Sequence, residues 1–563
     1  MNLKTFAGSI GMFLLLASQT SGQIDYNKVP EVTNKIFIND VHVQKTPSVN
    51  IGLSDILIEN GLIVKIGANM TPPVDAKVIE ADSAYAYSGF IDAFSHIGIP
   101  KKESRGERPE VRFKGFPPNK VAGITPEKLA SSEISHTEGS IKSHREAGFA
   151  IAHVVPRGRM LPGQGSIISL HGSSTEDMIL KDQTSTFFQF SGARGYYPNT
   201  IIGVMAKWRD LYRKAHFHNK NLKNYKLNPS GTPRPLEDKT LNAIIPVTTG
   251  AQPVFMTTKK TKDIFRAVEL QKELGYNLVL GDVKQIGAAQ KHLKSSKIDI
   301  LLSLDLPKEE DKKKADKDST NIDDLKKSML ERKAKSYKEY ISQAANLEKA
   351  NIPFAFTLMS AKPKDLKSSI AKLIENGLSE KAGLAALTTN PAKILGVEKI
   401  AGTLETGKLA NIVISDKPFF EKESKLKYVI VEGHMTKIKQ KKKKEKKGGG
   451  SLEGTDAILG VWSYTVDVFG QEQTGKITIT QNGSELSIEL VDDSTPDDTD
   501  QGTDVSFSGG NLSFGVTVDG GGQDMPVEIS LDFDEDNFSG TATIEGMGAL
   551  NMEGSKISSP ENK

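Results

Sequence analysis

Between residues 88 and 360, apolar runs of strand length alternate with stretches whose apolar residues fall at helical spacing. That alternation confines the chain to α/β architectures built on a mainly parallel sheet. The segment 263–274 has helical periodicity, is closed by Gly275, and is followed by the strand pattern at 276–281. The same order recurs with a helix at 286–293, a strand at 298–303 and a strand at 352–357, while 126–147 is expected to be largely helical before the buried strand 149–155. The flanks differ. Residues 33–87 alternate apolar and polar positions, and Asn60-Gly61 between two apolar runs is a strong hairpin signal. Matching β patterns reappear at 402–415 and 428–433. The expected fold is a TIM-like (β/α)8 barrel over 88–399, a composite β-sandwich subdomain from 24–87 and 400–437, and a separate all-β domain beyond.

At 563 residues, 37% hydrophobic and 25% charged, the chain has material for two or three domains. Residues 1–23 carry Lys4, an apolar run too short to span a bilayer and then small residues, the pattern of a secretory signal peptide. No later stretch suggests a transmembrane span, and there is no cysteine to staple or lipidate the chain. The expectation is an exported protein, periplasmic or outer-membrane associated in a Gram-negative bacterium. A net charge of +3 conceals a split: residues 451–563 hold 22 acidic side chains against 3 lysines, or −19, leaving +22 on the rest. Without nucleic-acid-binding motifs, the excess is expected to be solvated surface, with no nucleic acid partner. Residues 438–451, lysines followed by glycines, form a linker. Residues 452–556 show short strands with Gly, Asn and Asp turns, a small lipocalin-like or sandwich domain with Trp462 in its core. The Asp-rich tract 492–500 lacks the spacing of a calcium loop and is expected at a hairpin tip.

Chemistry is expected at the ends of the barrel strands. The run Ser88-Gly-Phe-Ile-Asp-Ala-Phe-Ser-His-Ile-Gly-Ile-Pro100 ends a buried strand with Asp92 and His96. It resembles the first-strand signature of the metal-dependent amidohydrolase superfamily, Gly-x-x-Asp-x-His-x-His, whose two histidines share one face because side chains alternate along a strand. Phe94 stands where the first histidine would be. The resemblance extends over about 33–437 and is similar to the imidazolonepropionase-related branch; its most specific part is Leu-Thr-Thr-Asn-Pro-Ala-Lys at 387–393 with Gly-Thr-Leu-Glu-Thr-Gly-Lys-Leu-Ala-Asn-Ile-Val-Ile at 402–414. It implies hydrolysis of C–N bonds outside peptides, with zinc or a similar ion lowering the pKa of a bound water.

The family's other ligands lie at the ends of the fifth, sixth and eighth strands. Here the fifth, 253–258, ends in Met256-Thr257-Thr258; the sixth, 277–282, ends in Asp282; and Met359 stands near where the eighth supplies an aspartate. No catalytic residue is assigned. His96 is the one candidate metal ligand, and Asp92, Phe94, His153, Asp282 and Met359 are candidates for the barrel mouth. Further histidines offer little: His144 is expected to be exposed, His216 and His218 to lie in a loosely structured insertion at 214–235, and a relocated site from His96, His153 and Asp282 has no spacing signature behind it. No cofactor is expected, with zinc the ion if a site is retained.

Three functions compete: a catalytically silent partner or scaffold subunit, paired with a homologous amidohydrolase or an envelope protein complex; a metal-dependent hydrolase of cyclic amides or imides with a rearranged site; and a ligand-binding protein acting through the C-terminal β domain.

Overall fold

The computed structural model describes residues 34–101, 110–294, 296–307, 324–438 and 455–558, with short breaks within the last span. The expected signal peptide and nearly all of the expected linker and of the charged insertion at 307–321 lie outside these residues. The chain divides into two compact units, between Gln440 and Lys441.

Both flanks of the first unit meet in one continuous eight-stranded sheet. From the N-terminal side come β1 (Lys35–Thr46), β2 (Val49–Glu59), β3 (Leu62–Gly67), β4 (Lys77–Glu80) and β5 (Tyr85–Ser88). The barrel strands follow, and the sheet is completed after them by β14 (Ile412–Ser415), β15 (Leu426–Val431) and β16 (His434–Lys437). The order is β16-β15-β14-β5-β1-β2-β3, with β4 against β1. Asn60 and Gly61, both at positive φ, turn β2 into β3. A buried cluster including Ile38, Val41, Ile56, Ile58, Ile412 and Ile430 holds the two flanks together.

The barrel sheet comprises β6 (Phe90–Ser95), β7 (Phe149–Val154), β8 (Gly163–Ser169), β9 (Ile179–Gln189), β10 (Val254–Thr257), β11 (Leu278–Val283), β12 (Asp299–Ser303) and β13 (Ala355–Thr357), neighbours in chain order. Strands β6, β7 and β11 are buried at every position, as expected where layers cover both faces. One strand departs from the expected parallel order: β8 pairs antiparallel with both neighbours. The Gly163-Gln-Gly165 stretch, which looks like a turn in sequence, is the start of this inverted strand, and hairpins take the place of two crossover helices.

Several helices also differ from expectation. Of 126–147, only Gly139–Glu146 is α-helical, with a 3-10 turn at Ala130–Ser132. The segment around His216 and His218, expected to be irregular, belongs to a 27-residue helix, Ile201–Leu227, capped by Thr200 and anchored by Val204, Trp208, Leu211, Tyr212 and Ala215. Those anchors recur at helical spacing over its first half, which the lysines and asparagines of its second half obscure in the sequence. Helix Thr261–Leu274 buries Ile264, Ala267, Val268 and Leu270 and ends at Gly275 in the left-handed conformation.

The sheet path ends at β6 and β13, and side chains close the barrel between them. Thr357 Oγ1 donates to the Phe94 carbonyl, and Leu358 N donates to both Asp92 carboxylate oxygens at 3.4 Å. Asn390, in the closing helix Thr389–Leu395, donates to the Phe354 carbonyl at 2.7 Å.

The second unit is an antiparallel meander of nine strands, β17 (Gly460–Val468) to β25 (Gly548–Ser558), in which β17 also pairs with β25. This is the arrangement of an up-and-down barrel. Trp462 is fully buried, donates to the Ile458 carbonyl at 2.8 Å and packs against Phe533 and Phe538. The Asp-rich tract follows β19 (Glu485–Asp492), where Asp492 accepts from the Ser494 backbone and hydroxyl.

Candidate functional site at the barrel mouth

The end of β6 delivers Phe94 to the barrel interior, where the ring is fully buried. It makes edge contacts with Phe187 at 5.3 Å between centroids and lies 5.8 Å from Phe255. The fit requires a glycine opposite: a Cβ on Gly281 would lie 2.5 Å from Phe94 Cε1. Ile91, Ile167, Val279, Leu301 and Ala355 complete this apolar cluster, and Met359 packs against it. Burying such a ring contributes about 1.5–3 kcal/mol.

Asp92 serves the seam. Both oxygens face Leu358 N, and Oδ1 also accepts from Phe94 N at 3.2 Å. Complete burial pushes its carboxyl up to about 7, against the lowering effect of those bonds. His153, also fully buried, uses both ring nitrogens: Nδ1–H donates to the Ala93 carbonyl at 3.0 Å, so Nε2 accepts from Ser185 Oγ at 3.0 Å. A Cβ on Gly165 would lie 2.4 Å from His153 Nε2. Burial holds this imidazole down to about 4, hence neutral.

His96 is partly buried and donates from Nδ1 to the Val155 carbonyl at 2.7 Å, which leaves Nε2 with the lone pair. Burial, then the charges of Arg157 and Lys259, bring it down to about 4. His144, expected at the surface, is 7% exposed; its Nδ1 donates to the Ser140 carbonyl one helical turn back and the ring lies edge-on to Phe149. His216 and His218 sit on the outlying half of the long helix, with His218 bonded to Asn242 at 3.0 Å.

Asp282 anchors a polar cluster that was only partly visible in the sequence. It is fully buried and has φ of 51°, a left-handed conformation that non-glycine residues adopt at some cost. Its Oδ2 accepts from Ser360 Oγ at 2.6 Å and lies 3.5 Å from Nζ of the half-exposed Lys259. Its Oδ1, and Oγ1 of Thr258, whose backbone N–H donates to the neighbouring Gly281 carbonyl at 2.9 Å, have no hydrogen-bond partner among the described residues. Lys259 and Ser360 were missed because they lie two and three residues past the strand ends, and Thr258 was noted only as a strand end without an imidazole; the placement of barrel chemistry in those loops was the signal available.

These donors do not fit a catalytic divalent ion. Among the described residues, no group of three or more His, Cys, Asp or Glu side chains is arranged to hold one. Phe94 and Met359 are packed in the apolar cluster, His153 has both nitrogens engaged, and Asp92 is committed to the seam. His96 Nε2 and Asp282 remain, fewer than the three protein ligands that a catalytic zinc site uses.

A model described as the amidohydrolase family matches residues 357–436, from the end of β13 through the returning strands. Among solved structures, an amidohydrolase from Thermotoga maritima is similar at 23% identity and TM-score 0.58, covering 71% of this chain and 99% of that one. Weaker matches include an Xaa-Pro dipeptidase, at 12% identity and TM-score 0.39 over 72% of this chain and 100% of that one. Another is an N-acetylglucosamine-6-phosphate deacetylase from Pasteurella multocida, at 10% identity and TM-score 0.34 over 72% and 100%. No curated protein matches the chain. The first unit has the amidohydrolase-superfamily fold, a barrel joined to a sheet built from both flanks. At these identities the likeness is one of fold.

Proposed function

We propose that this chain is a hydrolytically silent member of the imidazolonepropionase-related branch, exported to the periplasm or outer membrane, acting as a partner or scaffold subunit for a homologous amidohydrolase or an envelope complex. The observation that carries this reading is the complementary pair Phe94 and Gly281: a ring stands at the expected ligand position, and the facing strand accommodates it. Met359, at the position expected for the water-activating aspartate, supports it, since a thioether takes no proton at neutral pH. The test is turnover of cyclic amides and imides by the purified chain with zinc or manganese added. No turnover, together with co-purification of a second barrel protein from the native envelope, is expected; metal-dependent turnover abolished by His96→Ala would overturn the proposal.

A second reading is favoured by one observation, the strained and buried Asp282 with Lys259 and Ser360. Such a cluster suits a metal-independent site for a small polar ligand. Hydrolysis that persists in chelator and is lost on Asp282→Asn would select it.

A further inference from the structure

The second half of helix Ile201–Leu227 and the connection to helix Lys239–Thr248 form a finger whose side chains are mostly exposed. From Leu211 to Leu236 there is no acidic residue, while Arg213, Lys214, Lys220, Lys223, Lys226 and Arg234 are basic. The two cations at the base are paired, Arg213 with Glu273 and Lys214 with Asp210. His218 ties the base to the second helix through Asn242. Toward the tip, Lys220, Lys223, Lys226 and Arg234 are exposed and have no acidic partner among the described residues. Large apolar side chains project beside them: Phe217 is 62% exposed, Leu227 85% and Leu236 87%. At 100° per residue, Phe217, Lys220, Lys223 and Leu227 fall within one arc of about 120°.

A face meant only to be solvated has no use for exposed leucines and a phenylalanine among its lysines. Cations that meet phosphates, interleaved with apolar groups that enter the acyl boundary, are the chemistry of a surface that rests on anionic lipid. Base recognition would call for a platform of stacking aromatics, whereas on this finger Tyr225 is half-buried and the large apolar side chains exposed beside Phe217 are the aliphatic Leu227 and Leu236. We infer that this finger is a docking element for an anionic lipid surface, with Lys220, Lys223, Lys226 and Arg234 contacting headgroups and Phe217, Leu227 and Leu236 inserting between them. The inference is independent of whether the barrel is silent.

The test is co-sedimentation of the full mature chain with vesicles of phosphatidylcholine alone or mixed with phosphatidylglycerol. Binding is expected only to the mixed vesicles and should weaken as salt rises. The combined variant Lys220→Gln, Lys223→Gln, Lys226→Gln should weaken it roughly a hundredfold, at about fivefold per cation. The variant Phe217→Ser with Leu227→Ser should remove the part of binding that survives high salt. Because residues 441–447 are also lysine-rich, the finger variants are decisive: undiminished binding by the triple variant would overturn the inference. So would failure of the parent chain to bind mixed vesicles at low salt, or self-association through Phe217 and Leu227 in place of vesicle binding. Unchanged far-UV circular dichroism and thermal midpoint of the variants exclude misfolding as the cause of a loss.

Discussion

The seam between the first and eighth barrel strands and the mouth just beyond it lie within a few residues of each other, yet they are built on opposite principles. The seam is polar and largely satisfied: Asp92 and the Phe94 carbonyl accept hydrogen bonds from Leu358 and Thr357 across it, and Asn390 ties the closing helix to the Phe354 carbonyl just before the eighth strand. Where the superfamily's ligands are expected, the mouth is mostly apolar, with Phe94, Phe187, Phe255 and Met359 clustered together. A fold can keep its closing bonds while its reactive side chains are exchanged, because closure depends on backbone partners and chemistry on a handful of strand-end side chains. The exception is Asp282, a buried carboxylate held under strain beside Lys259 and Ser360.

Removing the apolar plug should have the largest effect. Phe94→Ala is expected to destabilise the first unit by about 3–5 kcal/mol, read from denaturant unfolding, because a fully buried ring is lost and a cavity is left. A cost well below 1 kcal/mol would mean that the mouth is open to water and not packed.

The seam should show itself through pH. The Asp92 carboxyl sits at about 7 in the folded chain against 3.8 for the free group. Between those values the folded state holds the proton more tightly, so this residue's contribution to stability is greatest below about 4, declines as pH rises and levels off above 7. Asp92→Asn keeps an acceptor for Leu358 N and removes that slope. The variant should therefore gain on the parent by a few kcal/mol from pH 4 to pH 8. A parallel pH profile would contradict the assignment. The buried neutral histidines, such as His153, act with the opposite sign: their contribution is present above about 6.5 and is lost as pH falls toward 4.

Gly281→Ala should cost about 1–3 kcal/mol by driving a methyl into the Phe94 ring. In the Phe94→Ala background the cost should largely vanish, and a double-mutant cycle reads that coupling. Additive costs would separate the two residues. The smallest effect is expected from Ser185→Ala, about 1 kcal/mol, since it takes one hydrogen bond from His153 Nε2.

Much of the frame was legible in sequence. Asn60-Gly61 marked its hairpin and Gly275 its helix end, because each depends on local backbone chemistry, while the 387–393 motif pointed to the fold through the family resemblance. The inverted strand was not, since Gly163-Gln-Gly165 has turn composition and only its pairing with β7 and β9 makes it a strand. His144 was misplaced because its burial comes from packing against Phe149, a contact beyond helical periodicity. At the site, Phe94 and Asp282 could be named because they stand at strand-end positions that the family resemblance marks, and His153 because it falls on a buried strand. The partners that give them meaning, Gly281, Ser185, Lys259 and Ser360, come from other strands and are joined only by the closed barrel.

The most direct test is the zinc content of the purified chain after incubation with excess zinc and desalting, measured by elemental mass spectrometry beside His96→Ala. A packed mouth that lacks a ligand set should retain well under one zinc per chain, equally in both proteins. One or more zinc ions per chain, lost on His96→Ala, would contradict the account.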